Sequence, residues 1–213
     1  MVMSINSPAL PTADNNDTWI GFSSIGPMAV INGTNGNDTL RGTEQSDTIN
    51  GNAGEDVLYG HGGDDTLNGG GGGSDFLDGG DGDDWLNTDV GDQLGDDALY
   101  GGAGDDILNS GYGNDNLHGG DGDDVLISGH PRLNSGTSGD TDGDRLYGDA
   151  GNDTLIGSGM SDSLYGGAGD DVLMGGGGQD VLYSDPGADV MDGGTGRTLD
   201  YLDYRSSDAA VTV

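Results

Sequence analysis

The sequence predicts an all-β protein: a right-handed parallel β-roll, that is, a β-helix solenoid of about eight two-strand coils with N- and C-terminal caps. Three observations predict it. A nine-residue period runs from Gly33 to about Asp192. The first four positions of each period are mostly small, the sixth is Asp and the eighth is a large aliphatic residue. The stretch Gly101 to Ile127 shows the register without interruption as GGAGDDILN, SGYGNDNLH and GGDGDDVLI. Such a period is the mark of stacked solenoid units, and this nonapeptide pattern is that of parallel β-helices.

Each part of the unit has a physical reason. Glycine tolerates positive φ and close backbone approach, so six residues can make a tight turn. The last three residues form a short strand whose middle side chain points inward and whose neighbours point outward. Two units make a coil of eighteen residues, with a strand on each face and a turn on each edge.

Taken in chain order, residues 1–17 are polar, contain Pro8 and Pro11, and read as a flexible tail; they lack the basic residues of a secretory leader. Residues 18–32, with Trp19, Ile20, Phe22, Ile25, Met28, Val30 and Ile31, read as an N-terminal cap over the open end, with Met28 to Ile31 as the first strand. The roll proper spans residues 33–192. Its sixteen eighth-position residues, Leu40, Ile49, Leu58, Leu67, Leu77, Leu86, Leu99, Leu108, Leu117, Leu126, Leu146, Leu155, Leu164, Leu173, Leu182 and Met191, predict one narrow continuous core. Residues 193–213 read as a C-terminal cap, with Leu199, Tyr201, Leu202, Tyr204, Val211 and Val213 covering the last coil.

The sixth-position aspartates fall alternately on two edges. The odd edge carries Asp38, Asp56, Asp75, Asp97, Asp115, Asp144, Asp162 and Asp180. The even edge carries Asp47, Asp65, Asp84, Asp106, Asp124, Asp153, Asp171 and Asp189. Stacking at about 4.8 Å sets each Asp beside its counterpart in the next coil. Two carboxylates with several turn carbonyls supply the hard oxygens that Ca²⁺ prefers, whereas Mg²⁺ demands a smaller octahedron and Zn²⁺ favours Cys or His. All sixteen are therefore candidate calcium ligands. Eight turns per edge leave seven gaps, which sets a ceiling of about fourteen ions, and weak turns such as Gly42 to Asp47 and Ser184 to Asp189 lower it. Length irregularities at Gly69 to Asp75, Thr88 to Gly91 and Ser128 to Ser138 all fall in odd units, which predicts that the even edge is the better-filled row.

The net charge is -34, with 47 glycines among 213 residues, a composition that without periodicity belongs to disordered chains. The five cationic residues, Arg41, Arg132, Arg145, Arg197 and Arg205, cannot offset it, so folding needs an external cation. The acidic balance argues against binding nucleic acid. No apolar run approaches the roughly 18 residues of a membrane span, and cysteine is absent.

These repeats resemble those of the RTX, or haemolysin-type calcium-binding, family. The resemblance implies a parallel β-roll with Ca²⁺ between its turns and export by a one-step type I route without an N-terminal signal. A chain of this kind stays unfolded where calcium is scarce and folds outside the cell, where metal binding and folding are one equilibrium. Members usually carry a further secretion segment after the repeats, whereas here only Gly193 to Val213 follows.

Outward positions offer two further features. Tyr59, Tyr100, His118, Tyr147, Tyr165 and Tyr183 align as a ladder, either a carbohydrate or protein contact or simple cross-strand packing. On the other face Asn50, Asn68, Asn87 and Asn109 align, followed by Ile127, Ile156 and Met174; with Ile107, Val125, Val172 and Val190 they give an apolar strip that is either a contact surface or ordinary strand composition. The loop from Ser128 to Ser138 holds His130, Pro131 and Arg132 and reads as a tolerated insertion. The HExxH and GxSxG patterns are absent, and no carboxylate pair stands apart from the repeat, which argues against catalysis. Three readings follow: a secreted structural or adhesive calcium-binding protein, the non-catalytic module of a secreted protease, lipase or polysaccharide epimerase, and, last, a small enzyme.

Overall fold

The computed structural model describes residues 28–88, 95–129, 143–195 and 199–203. The expected tail, most of the N-terminal cap, the bodies of the two longer insertions and the end of the C-terminal cap lie outside these residues. Eighteen strands are described, and all are short because each holds only what lies between two turns. They are β1 (Val30–Asn32), β2 (Thr39–Arg41), β3 (Thr48–Ala53), β4 (Val57–Gly62), β5 (Thr66–Gly71), β6 (Phe76–Asp81), β7 (Trp85–Asn87), β8 (Ala98–Ala103) and β9 (Ile107–Asn109), then β10 (Asn116–Asp121), β11 (Val125–Ile127), β12 (Arg145–Ala150), β13 (Thr154–Ile156), β14 (Ser163–Ala168), β15 (Val172–Met174), β16 (Val181–Tyr183), β17 (Val190–Asp192) and β18 (Tyr201–Asp203).

Successive strands alternate between two sheets. The odd-numbered strands form one nine-stranded sheet in the order β1 to β17, and the even-numbered strands form the other. Every pairing is parallel, and the register sets each eighth-position residue on its counterpart, as in Leu117 on Leu99 and Leu126 on Leu108. The sixteen predicted core residues are all buried, and Ile31 joins them. Two sheets facing each other across a single file of leucines leave room for one inward side chain per strand, which is why the eighth position accepts only large aliphatics.

The first strand is Val30–Asn32 rather than Met28 to Ile31, since Ile31 occupies the inward place and centres the strand on itself. At the other end β18 pairs in register with β16, Leu202 on Leu182, so β18 is the strand of a seventeenth unit, whose sequence from Gly193 carries two extra residues before its aspartate.

Outward side chains stack as well. From Tyr100 through His118, Tyr147 and Tyr165 to Tyr183, ring centroids are 4.4–5.1 Å apart and planes within 6° of parallel. Arg41 lies 4.0 Å from the Tyr59 ring centre at the start of the same row. These rings use their faces on each other and turn their edges to solvent, the arrangement of cross-strand packing. On the opposite sheet, Asn50 donates to Asn32 and Asn68 to Asn50, each at 2.9 Å. Trp85, Ile107, Met174 and Val190 are exposed there. The described residues contain no helix long and apolar enough to cross a membrane.

Candidate metal centre in the turns

All sixteen sixth-position aspartates are buried, at 0–5 % exposure. Each closes a turn and opens a strand, and its polar atoms are used in a fixed way. Its carbonyl accepts from the seventh-position N–H one coil on, as Asp38 does from Val57 and Asp106 from Val125, both at 2.9 Å. Its N–H donates to the Oδ1 atom of the next coil's aspartate: Asp65 to Asp84 at 2.7 Å, Asp84 to Asp106 at 2.8 Å, Asp106 to Asp124 at 2.8 Å. The chain of such bonds runs along both edges and extends to Asp200, whose Oδ1 accepts from the Asp180 N–H at 3.1 Å. Asp200 therefore holds the sixth place of the seventeenth unit. Sequence reasoning missed it, although Gly193, Gly194, Gly196 and the following Asp200-Tyr201-Leu202 carry the signal.

The second carboxylate oxygen behaves differently. In Asp56, Asp65, Asp84, Asp106, Asp124, Asp153, Asp171 and Asp180 the Oδ2 atom is buried and receives no hydrogen bond. A buried anionic oxygen without a donor is costly. Burial is the chief cause of the resulting rise in carboxyl pKa. It carries Asp106 to about 8, partly offset by the bond from the Asp84 N–H and reinforced by the Asp124 carboxylate. Asp65 and Asp124 rise to about 7 on the same grounds.

The first-position glycine completes the cradle. A Cβ at Gly101 would strike Asp106 Oδ2 and come within 2.6 Å of the Gly119 carbonyl oxygen; a Cβ at Gly148 would strike Asp153 Oδ2 and the Gly166 carbonyl. A carboxylate oxygen and the next coil's carbonyl thus face the same space. Among the described residues no three His, Cys, Asp or Glu side chains converge. A cation here would take its ligands from carboxylates and main-chain carbonyls together, a donor set of hard oxygens that suits Ca²⁺.

The two edges differ. On the even edge the strands run on into the turns, and second-position residues pair in one unbroken row: His61 with Gly80, Gly80 with Gly102, Gly102 with Gly120, Gly120 with Asp149, and Asp149 with Gly167. On the odd edge the corresponding second-position pair is Asn52 with Gly70, and at the far end a bridge joins the third-position residues Gly177 and Thr195. In the middle of that edge the first-position glycine gives way to Thr88, Ser110 and Ser128, where β7, β9 and β11 stop at three residues; β1, β13 and β15 stop at three residues as well, before Gly33, Gly157 and Gly175.

Stacked acidic turns with ion-sized oxygen cradles along two parallel sheets define a calcium-binding β-roll. The family of the RTX calcium-binding nonapeptide repeat matches residues 32–67, 70–92, 93–128, 138–173 and 165–198. The chain belongs to that family, and it is a calcium-binding RTX-type protein. Comparison with curated protein sequences gives no match.

Proposed function

We propose that the sixth-position aspartates are the calcium ligands and that the chain is a secreted, non-catalytic protein whose calcium-loaded roll is itself the functional product. The observation that carries this reading is the row of buried Oδ2 atoms without donors, of which those of Asp56, Asp65, Asp84, Asp106, Asp124 and Asp153 lie beside a main-chain carbonyl of the next coil. Bound Ca²⁺ supplies the positive charge that these oxygens lack. The chain supplies rigid spacing, because each aspartate's Oδ1 is already held by the preceding coil's N–H and cannot swing away.

With Asp200 as a ninth turn on the odd edge the roll has fifteen gaps, and the same geometry favours fewer ions than these allow. Five gaps on the even edge and two on the odd edge have their turns in continuous backbone register, and five plus two gives seven. Calcium counted on the saturated protein by native mass spectrometry, with ions located by anomalous scattering, is expected to give about seven, five of them along the even edge. Equal filling of both edges would contradict this placement, and an ion-free roll would contradict the site itself.

Extracellular localisation is part of the same proposal. RTX repeats are typical of extracellular proteins, and a chain of net charge -34 that needs calcium to fold stays threadable in a calcium-poor cytosol. Immunoblotting of the native host's culture medium and cell surface is expected to find the protein there; retention in the cytosol would overturn the localisation.

A further inference from the structure

Not every turn leaves its Oδ2 without a donor. In units beginning at Gly33, Gly42 and Gly157 the second position is Thr34, Thr43 or Ser158, and there the aspartate's Oδ2 is satisfied from within. The Thr34 N–H and hydroxyl donate to Asp38 Oδ2 at 2.5 and 2.9 Å, and those of Thr43 to Asp47 Oδ2 at 2.6 and 2.9 Å. Ser158 does the same to Asp162 Oδ2 at 2.6 and 3.1 Å. Each hydroxyl also accepts from the N–H two residues on, in Gly36, Gln45 and Met160, at 3.1–3.2 Å. The hydroxyl therefore ties the start of the turn to its end, and the carboxylate gains two donors in place of none.

Backbone geometry separates the two kinds of turn. In turns with a free Oδ2 the second residue has positive φ, as in Asn52 at 84°, His61 at 82°, Gly102 at 121° and Asp149 at 74°, and so does the fourth, always glycine, as in Gly54 at 127° and Gly104 at 133°. Thr34, Thr43 and Ser158 do not adopt it, nor do Gln45 and Met160 at the fourth position. A β-branched residue at positive φ is strained, which is why threonine selects the closed form.

We propose that these hydroxyls stand in for the cation: a turn whose aspartate Oδ2 takes a Thr or Ser hydroxyl from the turn's first two positions closes on itself and takes no ion, while a turn with positive φ at its second position, held by Gly, Asn, His or Asp, and at a fourth-position Gly is a site. This rests on the calcium reading above. It makes both turns of the first coil, Gly33 to Asn50, independent of metal. Along the even edge the open row from His61 to Gly167 is then bracketed by two satisfied turns, that of Thr43 and that of Ser184, whose hydroxyl donates to Asp189 Oδ2. An end turn has a neighbour on one side only, so a turn that needs no shared ion suits the end of a row.

The test is a gain of ions. Thr34→Gly frees a turn whose fourth position is already Gly36, and the double variant T43G/Q45G frees the next; both face open turns one coil on, at Gly51 and Gly60. Native mass spectrometry of the calcium-saturated full chain is expected to show one additional ion in each variant and none in the control Thr34→Ser, which keeps the hydroxyl. The double variant decides the matter if Thr34→Gly does not fold. Counts equal to the parent's would overturn the inference while leaving the calcium sites standing; a parent without bound calcium would instead overturn the reading beneath it.

Discussion

At the scale of the residue, one aspartate position carries both the cost and the use of this fold. Asp106 shows the balance: Oδ1 bonded to the Asp84 N–H, Oδ2 buried without a donor, and a carboxyl pKa pushed up to about 8 by burial. Asp106→Asn removes the charge while keeping the shape. It is expected to raise the calcium concentration at the folding midpoint and to leave the calcium-free protein no less structured, since the uncompensated anion is gone. A midpoint unchanged from the parent, read by circular dichroism, would show that Asp106 is not a ligand. Gly148→Ala tests the neighbouring carbonyl: its Cβ would strike both Asp153 Oδ2 and the Gly166 carbonyl, so the even edge is expected to lose order locally, seen as faster amide exchange around Asp153.

At the scale of the element, a strand contributes one buried side chain and a ladder of hydrogen bonds to the coils on either side. Leu117 lies at the centre of β10, fully buried between Leu99 and Leu146. Truncating a buried leucine typically costs about 2–5 kcal/mol. Leu117→Ala is expected to fall in that range by thermal unfolding in saturating calcium, because coils locked by their neighbours cannot collapse around the hole. Sixteen eighth-position aliphatic residues made this architecture readable: the period, the core and the alternation of edges are all explicit at single sequence positions. Asp200 was not, because two extra residues displace it from the nine-residue count while its hydrogen bond keeps it in the ladder. The closed turns were also hidden. Thr43 satisfies the loose small-residue pattern of the unit, and only the hydrogen bonds to Asp47 reveal that it changes what the turn does. The aromatic ladder was legible as a row, but its orientation was not. Stacking consumes the ring faces that a sugar would need.

At the scale of the whole molecule, charge decides stability. Without calcium, the folded roll holds protons that the unfolded chain gives up. Burial raises Asp65, Asp75, Asp124 and Asp180 to about 7, Asp84, Asp97, Asp153 and Asp171 to about 6, and Asp106 and Asp144 to about 8, all from 3.8. Between about pH 4 and pH 8 the native state therefore binds more protons than the unfolded one, and calcium-free stability falls as pH rises. With the proposed ligand assignment, calcium needs the same carboxylates ionised, so its affinity is expected to rise across that interval. Denaturation at pH 5 and pH 8, with chelator and with calcium, is expected to show these opposite trends. A calcium-free protein more stable at pH 8 than at pH 5 would contradict the burial of uncompensated aspartates.

The central claim is that calcium, rather than the leucine file alone, makes the chain fold. The direct measurement is a titration of the metal-stripped protein followed by far-ultraviolet circular dichroism, first with calcium and then with magnesium. A cooperative coil-to-β transition is expected with calcium and none at equal magnesium, which demands a smaller, near-ideal octahedral shell. A β-sheet spectrum already complete in chelator, or an equal response to magnesium, would contradict it and leave the buried Oδ2 atoms without the partner that explains them.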